Sequence, residues 1–526
     1  MRKDQLVFKR LPESLTNPDA RMLNHKAFLG CLLALLLTTA VFAATGTVCI
    51  VHTNDLHDHI RPGYNGEGGL PYVAGYVAAL RAQRPDVLVL DAGDVLEKGD
   101  MVSYATGGSI MYEAMRRIGY DAAVPGNHDV KGDLAELDRR RDLLGAPFLC
   151  ANLLRDDGAP RYPASRVFDV GGVKVGVIGL TRESKRAEIP DFAFSKKALA
   201  AEAARLAPET HLVVAVVHEG VAECLELSAV APDVDVFVSG HTHQVLHAPR
   251  RVEGTGGVIV QAGCNARYVG QLEVTVDLDG RNIIEYAGKL VSMSHLEIPV
   301  DEDFLAWVRD REQEVCPEAS REVAYASKEV GPGSVGFLIA AALREEAQAE
   351  AGLCMTDRVV RNGLPEGPID VNALFRACAP WALDVVTVSV AGEDLLAYLG
   401  EYVAGMDRPS WDGFAAVFRI QRNEPAVVRD TTLEPARSYT VALTAEEWKR
   451  RLAPFLEKRD ANAALPEATP CAFNVLDALE VLAGRLAESE GNVVANPNAR
   501  AATADLHAYA TAVEAAARPR AAVAVP

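Results

Sequence analysis

Five short stretches carry the residues able to do chemistry. They are Asn54-Asp55-Leu56-His57, Asp91-Ala92-Gly93-Asp94, Pro125-Gly126-Asn127-His128-Asp129, His218-Glu219-Gly220 and Gly240-His241-Thr242-His243. Each follows an apolar run and contributes carboxylate, amide or imidazole. Glycine permits a sharp turn beside such groups. Asparagine offers a neutral oxygen ligand, and histidine exchanges a proton near neutral pH. Nine of the twelve histidines fall between His52 and His247. His52, His59, His211 and His247 read as surface or hydrogen-bonded core residues; the other five stand beside Asp55, Asp94 and Asn127. Two Asp, one Asn and four His make a mixed oxygen and nitrogen set large enough for two divalent metal ions. A bridging carboxylate holds two such ions ~3.5–4 Å apart, where they activate a water and clamp a phosphoryl group. Sites of this composition accept zinc, manganese, iron or cobalt, zinc or manganese being the expectation.

The elements that must position these groups alternate between two periods. Thr47–Thr53, Asp86–Leu90, Pro147–Asn152, Lys174–Leu180, His211–Val217, Asp235–Ser239 and Gly257–Gln261 are short, β-branched runs suited to buried strands. Amphipathic stretches lie between them: Tyr72 to Arg84, closed by Pro85, and Ser109 to Ile118. This alternation predicts an α/β layered domain. Ligands collect outside the carboxyl ends of strands in such sheets, where every chemical cluster sits. Gly270 to Val291, turning at Asp279-Gly280, reads as a closing hairpin.

The chain has 526 residues and a formal net charge of −19. At roughly 100–200 residues per domain, two large domains are expected. The charge argues against binding a nucleic-acid duplex, which calls for a basic face; small phosphate esters stay open because bound cations invert the local field. Residues 1–43 read as an N-terminal extension and signal peptide. Lys26 precedes the apolar run Ala27 to Leu37, and Val41-Phe42-Ala43 supplies small residues at cleavage spacing. The run is shorter than the ~20 residues a membrane span requires, so export without a stable span is expected, to periplasm or extracellular space. Of nine cysteines, Cys31 falls within the expected signal peptide; the other eight show no tight spacing pattern and read as buried free thiols. The expected divisions are a layered domain over 44–298, a linker helix within 299–322 (Asp301 to Val315), a second α/β or α+β domain over 323–490, and an Ala-rich tail over 491–526, helical or poorly ordered. In the second domain Ser334–Ala351 reads as helix, and Asp384–Val390 and Ser438–Leu443 as strands.

Asp55-x-His57, Gly93-Asp94, Gly126-Asn127-His128, His218 and Gly240-His241-x-His243 follow the order and context of the calcineurin-like metallophosphoesterases. More narrowly, the chain resembles the secreted two-domain 5′-nucleotidase family, which includes UDP-sugar hydrolases and 2′,3′-cyclic nucleotide phosphodiesterases. The resemblance implies a four-layer α/β/β/α sandwich followed by a smaller α/β (α+β) substrate-binding domain. It implies one metal at Asp55, His57, Asp94 and His243, and a second at the bridging Asp94 with Asn127, His218 and His241. His128 would stabilise the transition state rather than ligate. The implied activity is hydrolysis of phosphate esters, 5′-nucleotides foremost, by a metal-bound hydroxide. Alternatives are 2′,3′-cyclic nucleotides, nucleotide sugars or another ester. A contrary reading is a surface-binding protein whose metals only stabilise the fold; such a site need not retain His128.

The family's catalytic histidine is usually followed three residues on by an orienting aspartate. Lys131 stands there, leaving Asp129 or Asp133 as substitutes. In the second domain, Arg361-Asn362-Gly363-Leu364-Pro365 resembles the segment opening with a substrate-binding arginine. Gly413-Phe414 occupies the place of a base-stacking phenylalanine, and Pro380-Trp381-Ala382-Leu383 replaces the family's Pro-Phe-Gly-Asn. The second stacking ring is missing after Tyr439–Leu443. Arg361 and Phe414 are the expected substrate-binding residues.

Overall fold

The computed structural model describes residues 44–97, 99–183, 188–379, 383–403, 409–412, 416–421, 424–461, 463–488, 493–494 and 503–517. The expected signal peptide, Phe414 and Pro380-Trp381-Ala382 lie outside the described residues.

Strand β1 (Thr45–Thr53) is buried on both faces: Val48 and Ile50 point to one apolar cluster, Cys49 and Val51 to another. It pairs in parallel with β2 (Val87–Asp91), and β2 pairs in parallel with β3 (Ala122–Ala123). A second sheet contains β4 (Ser165–Val170), β5 (Val173–Leu180), β6 (Leu212–Val217), β7 (Val236–Ser239), β8 (Arg250–Arg251) and β9 (Val258–Val260), in the order β4-β5-β6-β7-β9-β8. The expected hairpin, β10 (Tyr268–Asp277) and β11 (Asn282–Ser292), completes the first sheet in the order β11-β10-β1-β2-β3. Valines and leucines of both sheets meet between them, Val48, Ile50, Leu88 and Leu90 against Val175, Val177, Val214, Val216 and Val238.

Helices cover the outer faces. Helix α1 (Leu70–Gln83), started by Pro71 in its first turn, and α2 (Ser109–Ile118) pack on the first sheet through Val73, Val77, Ile110, Ala114 and Met115. Gly119 ends α2 in the left-handed region, its N–H bonding to the carbonyls of Met115 and Arg116. On the same side, α3 (Leu134–Leu144) is capped by the Asp133 side chain, which accepts from Ala135 N. Helices α4 (Phe192–Leu206) and α5 (Val221–Val230) cover the second sheet through Leu199, Ala203, Cys224 and Leu227. This is the four-layer α/β/β/α sandwich. Full burial of each large aliphatic side chain contributes ~1.5–3 kcal/mol.

Two expectations are corrected. Pro147–Asn152 forms no strand, only a bridge between Phe148 and Ala123. Its amides divide among several partners: Leu149 N donates to Ala123 O, Cys150 N to Pro163 O and Ala151 N to Gly179 O. The segment crosses from one sheet to the other instead of joining a ladder. Likewise Ser334–Ala351 is not all helix. Helix α6 (Glu302–Val315), with Asp301 as its cap, leads to the second domain, where α7 (Pro332–Glu346) stops short of a left-handed Gln348 (φ 50°). Ala351–Met355 then enters a sheet of order Pro409–Asp412, Ala351–Met355, Ser438–Thr444, Asp384–Ala391, Thr469–Asn474. Within the expected tail, helix Leu506–Ala517 places Leu506, Ala510, Val513 and Ala517 in the second domain's core. No helix among the described residues is long and apolar enough to cross a membrane. The described cysteines are free thiols, most of them buried.

A buried polar cluster joins the domains. The fully buried Asp100 accepts from Arg61 N (2.9 Å) and Asn372 Nδ2 (2.9 Å) and lies 3.4 Å from an Arg376 guanidinium nitrogen. Asn372 in turn accepts from Met101 N at 2.7 Å and donates to Tyr64 Oη at 3.1 Å. Arg61 and Tyr64 both reach Asp370, at 3.0 and 2.6 Å.

Candidate metal centre

The candidate residues follow the carboxyl ends of parallel strands in both sheets. Asp55 and His57 come after β1, Asp94 after β2, Asn127 and His128 after β3, His218 directly after β6, and His241 and His243 after β7. Asp55, His57, Asp94, His241 and His243 have φ between 48° and 68°. Side-chain-bearing residues rarely hold that region, and such strain gathers at functional sites. Gly126 is required by close approach: a Cβ there would sit 2.2 Å from both the backbone N and Oδ1 of Asp94.

Two donor clusters form. Single donor atoms of Asp55, His57 and His243 all lie within 4.8 Å of one another, and so do those of Asp94, His218 and His241. In the first, His57 Nε2 is 3.1 Å from His243 Nε2, which is 3.3 Å from Asp55 Oδ1. In the second, His218 Nε2 is 3.2 Å from Asp94 Oδ2. Asn127 Oδ1 joins it, 3.2 Å from His218 Nε2 and 2.8 Å from His241 Nδ1. Asp55 also accepts from His241 N at 2.9 Å, tying the two clusters together.

The donor chemistry fits divalent ions. His57 Nδ1 lies 3.0 Å from the Leu96 carbonyl and His218 Nδ1 lies 2.7 Å from that of Ala92. A carbonyl partner requires N–H at Nδ1, leaving each Nε2 lone pair aimed into its cluster, the arrangement of metal-ligating imidazoles. Asn54 steadies Asp55 by donating to Oδ2 at 2.6 Å, while its own oxygen accepts from Ala262 N at 2.8 Å. The clusters also draw positive charge. Burial disfavours a charged His218, yet the Asp94 carboxylate outweighs it and holds the imidazole up at about 10. Conversely, burial would raise Asp94, but His218 pulls its carboxyl well below the usual range. A hydrogen bond to Asp55, with a further one to Cys264, raises His243 to about 9.

His128 lies beside both clusters without entering either. Its ring stands edge-on to His57, centroids 5.3 Å apart, and its Nε2 is 3.8 Å from Asp94 Oδ2. Neither expected substitute reaches the ring. Asp133 caps α3. Asp129 accepts from five donors: the backbone N–H groups of Asp94, Val95, Leu96 and Gly126, and the hydroxyl of Tyr112. Instead Nδ1 of His128 contacts Oε2 of Glu97, a residue not anticipated from the sequence. Lys131 Nζ lies 3.2 Å from each oxygen of that carboxylate. A lysine in an aspartate's place was the available signal that a carboxylate comes from elsewhere. Of the second domain's candidates, Arg361 donates its backbone N–H to Ala377 O. Burial lowers its side-chain pKa, and the opposing charge acting on it is Glu97.

Residues 49–245 match the calcineurin-like phosphoesterase family. Among curated proteins, the chain is 24% identical to Endonuclease YhcR of Bacillus subtilis over 447 residues, covering 75% of this chain and 36% of that protein. It is 28% identical to the snake venom 5′-nucleotidase of Gloydius brevicauda over 322 residues, 54% of each. The chain thus spans about a third and about half of these relatives. Among solved structures, the 5′-nucleotidase precursor from Thermus thermophilus superposes with a TM-score of 0.63 at 23% identity, covering 83% of this chain and 96% of that one. Residues 49–245, which carry both donor clusters, thus form a calcineurin-like phosphoesterase domain, and the fold of the chain is shared with the nucleotidase precursor along 96% of that chain.

Proposed function

We propose that the protein is an exported dimetal phosphohydrolase of small phosphate esters, with 5′-nucleotides as the leading substrates. The observation carrying this reading is the convergence of two adjacent donor clusters, with His128 Nε2 beside them. Asp55, His57, Asp94 and His243 would hold one ion, and Asp94, Asn127, His218 and His241 the other. When bound, the pair supplies a water of lowered pKa and a clamp on phosphoryl oxygens. His128 directs Nε2 toward the phosphoryl group or the leaving oxygen, where its doubly protonated ring, with Nδ1–H on a carboxylate, donates a hydrogen bond to developing negative charge. Arg361 presents a forked guanidinium to phosphate or carboxylate. Phe414 is assigned base stacking on its sequence position alone. Export is supported by Lys26 and the apolar run Ala27 to Leu37.

A substrate panel with manganese or zinc tests this reading: an aryl phosphate, 5′-nucleotides, 2′,3′-cyclic nucleotides and nucleotide sugars. The highest kcat/KM is expected on 5′-nucleotides. A cyclic nucleotide or nucleotide sugar favoured by tenfold would move the substrate within the same chemistry, and inactivity on all four would reject the enzyme. N-terminal sequencing of the exported protein tests cleavage after Ala43.

A further inference from the structure

We propose that Glu97 is the positioning residue of His128, with Lys131 holding the carboxylate in place. The proposal rests on the reading that His128 acts on the substrate. An imidazole tethered only through Cβ turns about its side-chain torsions and samples both tautomers. A carboxylate on one ring nitrogen selects the tautomer protonated there and fixes the ring plane. Glu97 occupies Nδ1, so the nitrogen left for chemistry is Nε2, the one 3.8 Å from Asp94 Oδ2.

Glu97 is itself constrained. Its φ is 67°, a conformation held only when the surroundings impose it. The constraint is visible in the preceding residues. The amides of Asp94, Val95 and Leu96 all bind the Asp129 carboxylate, and the Leu96 carbonyl meets His57 Nδ1. One short loop therefore carries Asp94, fixes His57 and delivers the carboxylate for His128. Lys131, whose side chain is 62% exposed, spans both oxygens of Glu97, whose side chain is 28% exposed. Solvent weakens that ion pair, so Lys131 trims the carboxylate's freedom and Glu97 does the positioning. Sequence position 131 thus supplies the counter-ion, and the carboxylate comes from the loop after β2.

The test compares Glu97→Gln, Lys131→Met, the exchange Glu97→Gln/Lys131→Asp, and each in a His128→Asn background. Readouts are kcat and KM on a 5′-nucleotide and on an activated aryl phosphate, metal content, melting temperature, and imidazole nitrogen NMR of the metal-free protein. Glu97→Gln should lower kcat about 10²-fold, the scale of a misplaced catalytic group, with KM, metal content and melting temperature unchanged. The loss should be larger for the nucleotide, whose leaving oxygen calls for more assistance. Lys131→Met should cost a few-fold, and the exchange should recover at least tenfold by placing a carboxylate three residues beyond the histidine. In the His128→Asn background Glu97→Gln should cost nothing further, and NMR should show a proton held on Nδ1 of His128 only while Glu97 is present. An equal loss from Glu97→Gln with and without His128, or an unchanged Nδ1 proton, would overturn the proposal. Wild-type turnover in His128→Asn alone would instead overturn the functional reading beneath it.

Discussion

Replacing Asp129 should unfold the site rather than merely slow the chemistry. Its carboxylate is 2% exposed and accepts from Asp94 N (2.9 Å), Gly126 N (2.8 Å), Val95 N (3.3 Å), Leu96 N (3.2 Å) and Tyr112 Oη (3.2 Å). Asp129→Ala strands these five donors in a buried space. At ~1 kcal/mol each, the low end for an unsatisfied buried group, the loss is ~5 kcal/mol, comparable to the whole stability of a marginal domain. Asp129→Asn keeps one oxygen, which can serve about half of the donors, while its amide faces the rest; a loss of ~2–3 kcal/mol is expected. Because the orphaned amides belong to the loop that carries Asp94, metal retention should fall together with stability. Differential scanning calorimetry with metal analysis on the same preparations reads both. An Asp129→Asn protein with wild-type melting temperature and full metal content, reduced only in kcat, would refute this reasoning. Asp129 would then be acting on His128 directly.

Other perturbations separate chemistry from architecture. His128→Asn should leave metal content unchanged while lowering turnover by something like 10²–10⁴, the range for a positioned acid or electrostatic group; loss of an ion would mark it as a ligand. Asn372→Ala removes a buried amide bonded to Met101 N, Asp100 and Tyr64 across the domain interface. It should cost ~2–4 kcal/mol, read as a lower urea midpoint. Glu447 is held up at about 8, chiefly by burial. Between its ordinary value of 4.5 and about 8 the folded protein keeps a proton that the unfolded chain has lost. Stability should therefore fall as pH rises through that window, and Glu447→Gln should flatten the decline in melting temperature.

Much of the first domain was legible because short β-branched strands and amphipathic helices leave a period in the sequence, and because chemistry in such sheets gathers at strand ends. Asp55, His57, Asp94, Asn127, His218, His241 and His243 are each one to a few residues past a strand, so locating the strands located them. The crossing segment Pro147–Asn152 misled because its composition suits a strand while its amides are divided between two sheets. Glu97 left no trace in spacing. Its role depends on a left-handed backbone that aims its carboxylate at a histidine 31 positions away. Asp129, adjacent to His128, invited a catalytic role that the five donors around it give to the loop instead. The domain interface was equally silent, since Asp100 and Asn372 are 272 positions apart and meet only in the folded chain.

In the proposed hydrolase Asp94 would serve both ions; its Oδ1 accepts from the His128 amide and its Oδ2 lies 3.2 Å from His218 Nε2. Metal stoichiometry by inductively coupled plasma mass spectrometry, on the wild-type protein and on Asp94→Asn after extensive dialysis, with turnover of an aryl phosphate on the same samples, tests it most directly. Two equivalents of divalent metal are expected in the wild type, and loss of tight retention at both sites in Asp94→Asn together with loss of hydrolysis. Two tightly held ions and normal turnover in Asp94→Asn would contradict it.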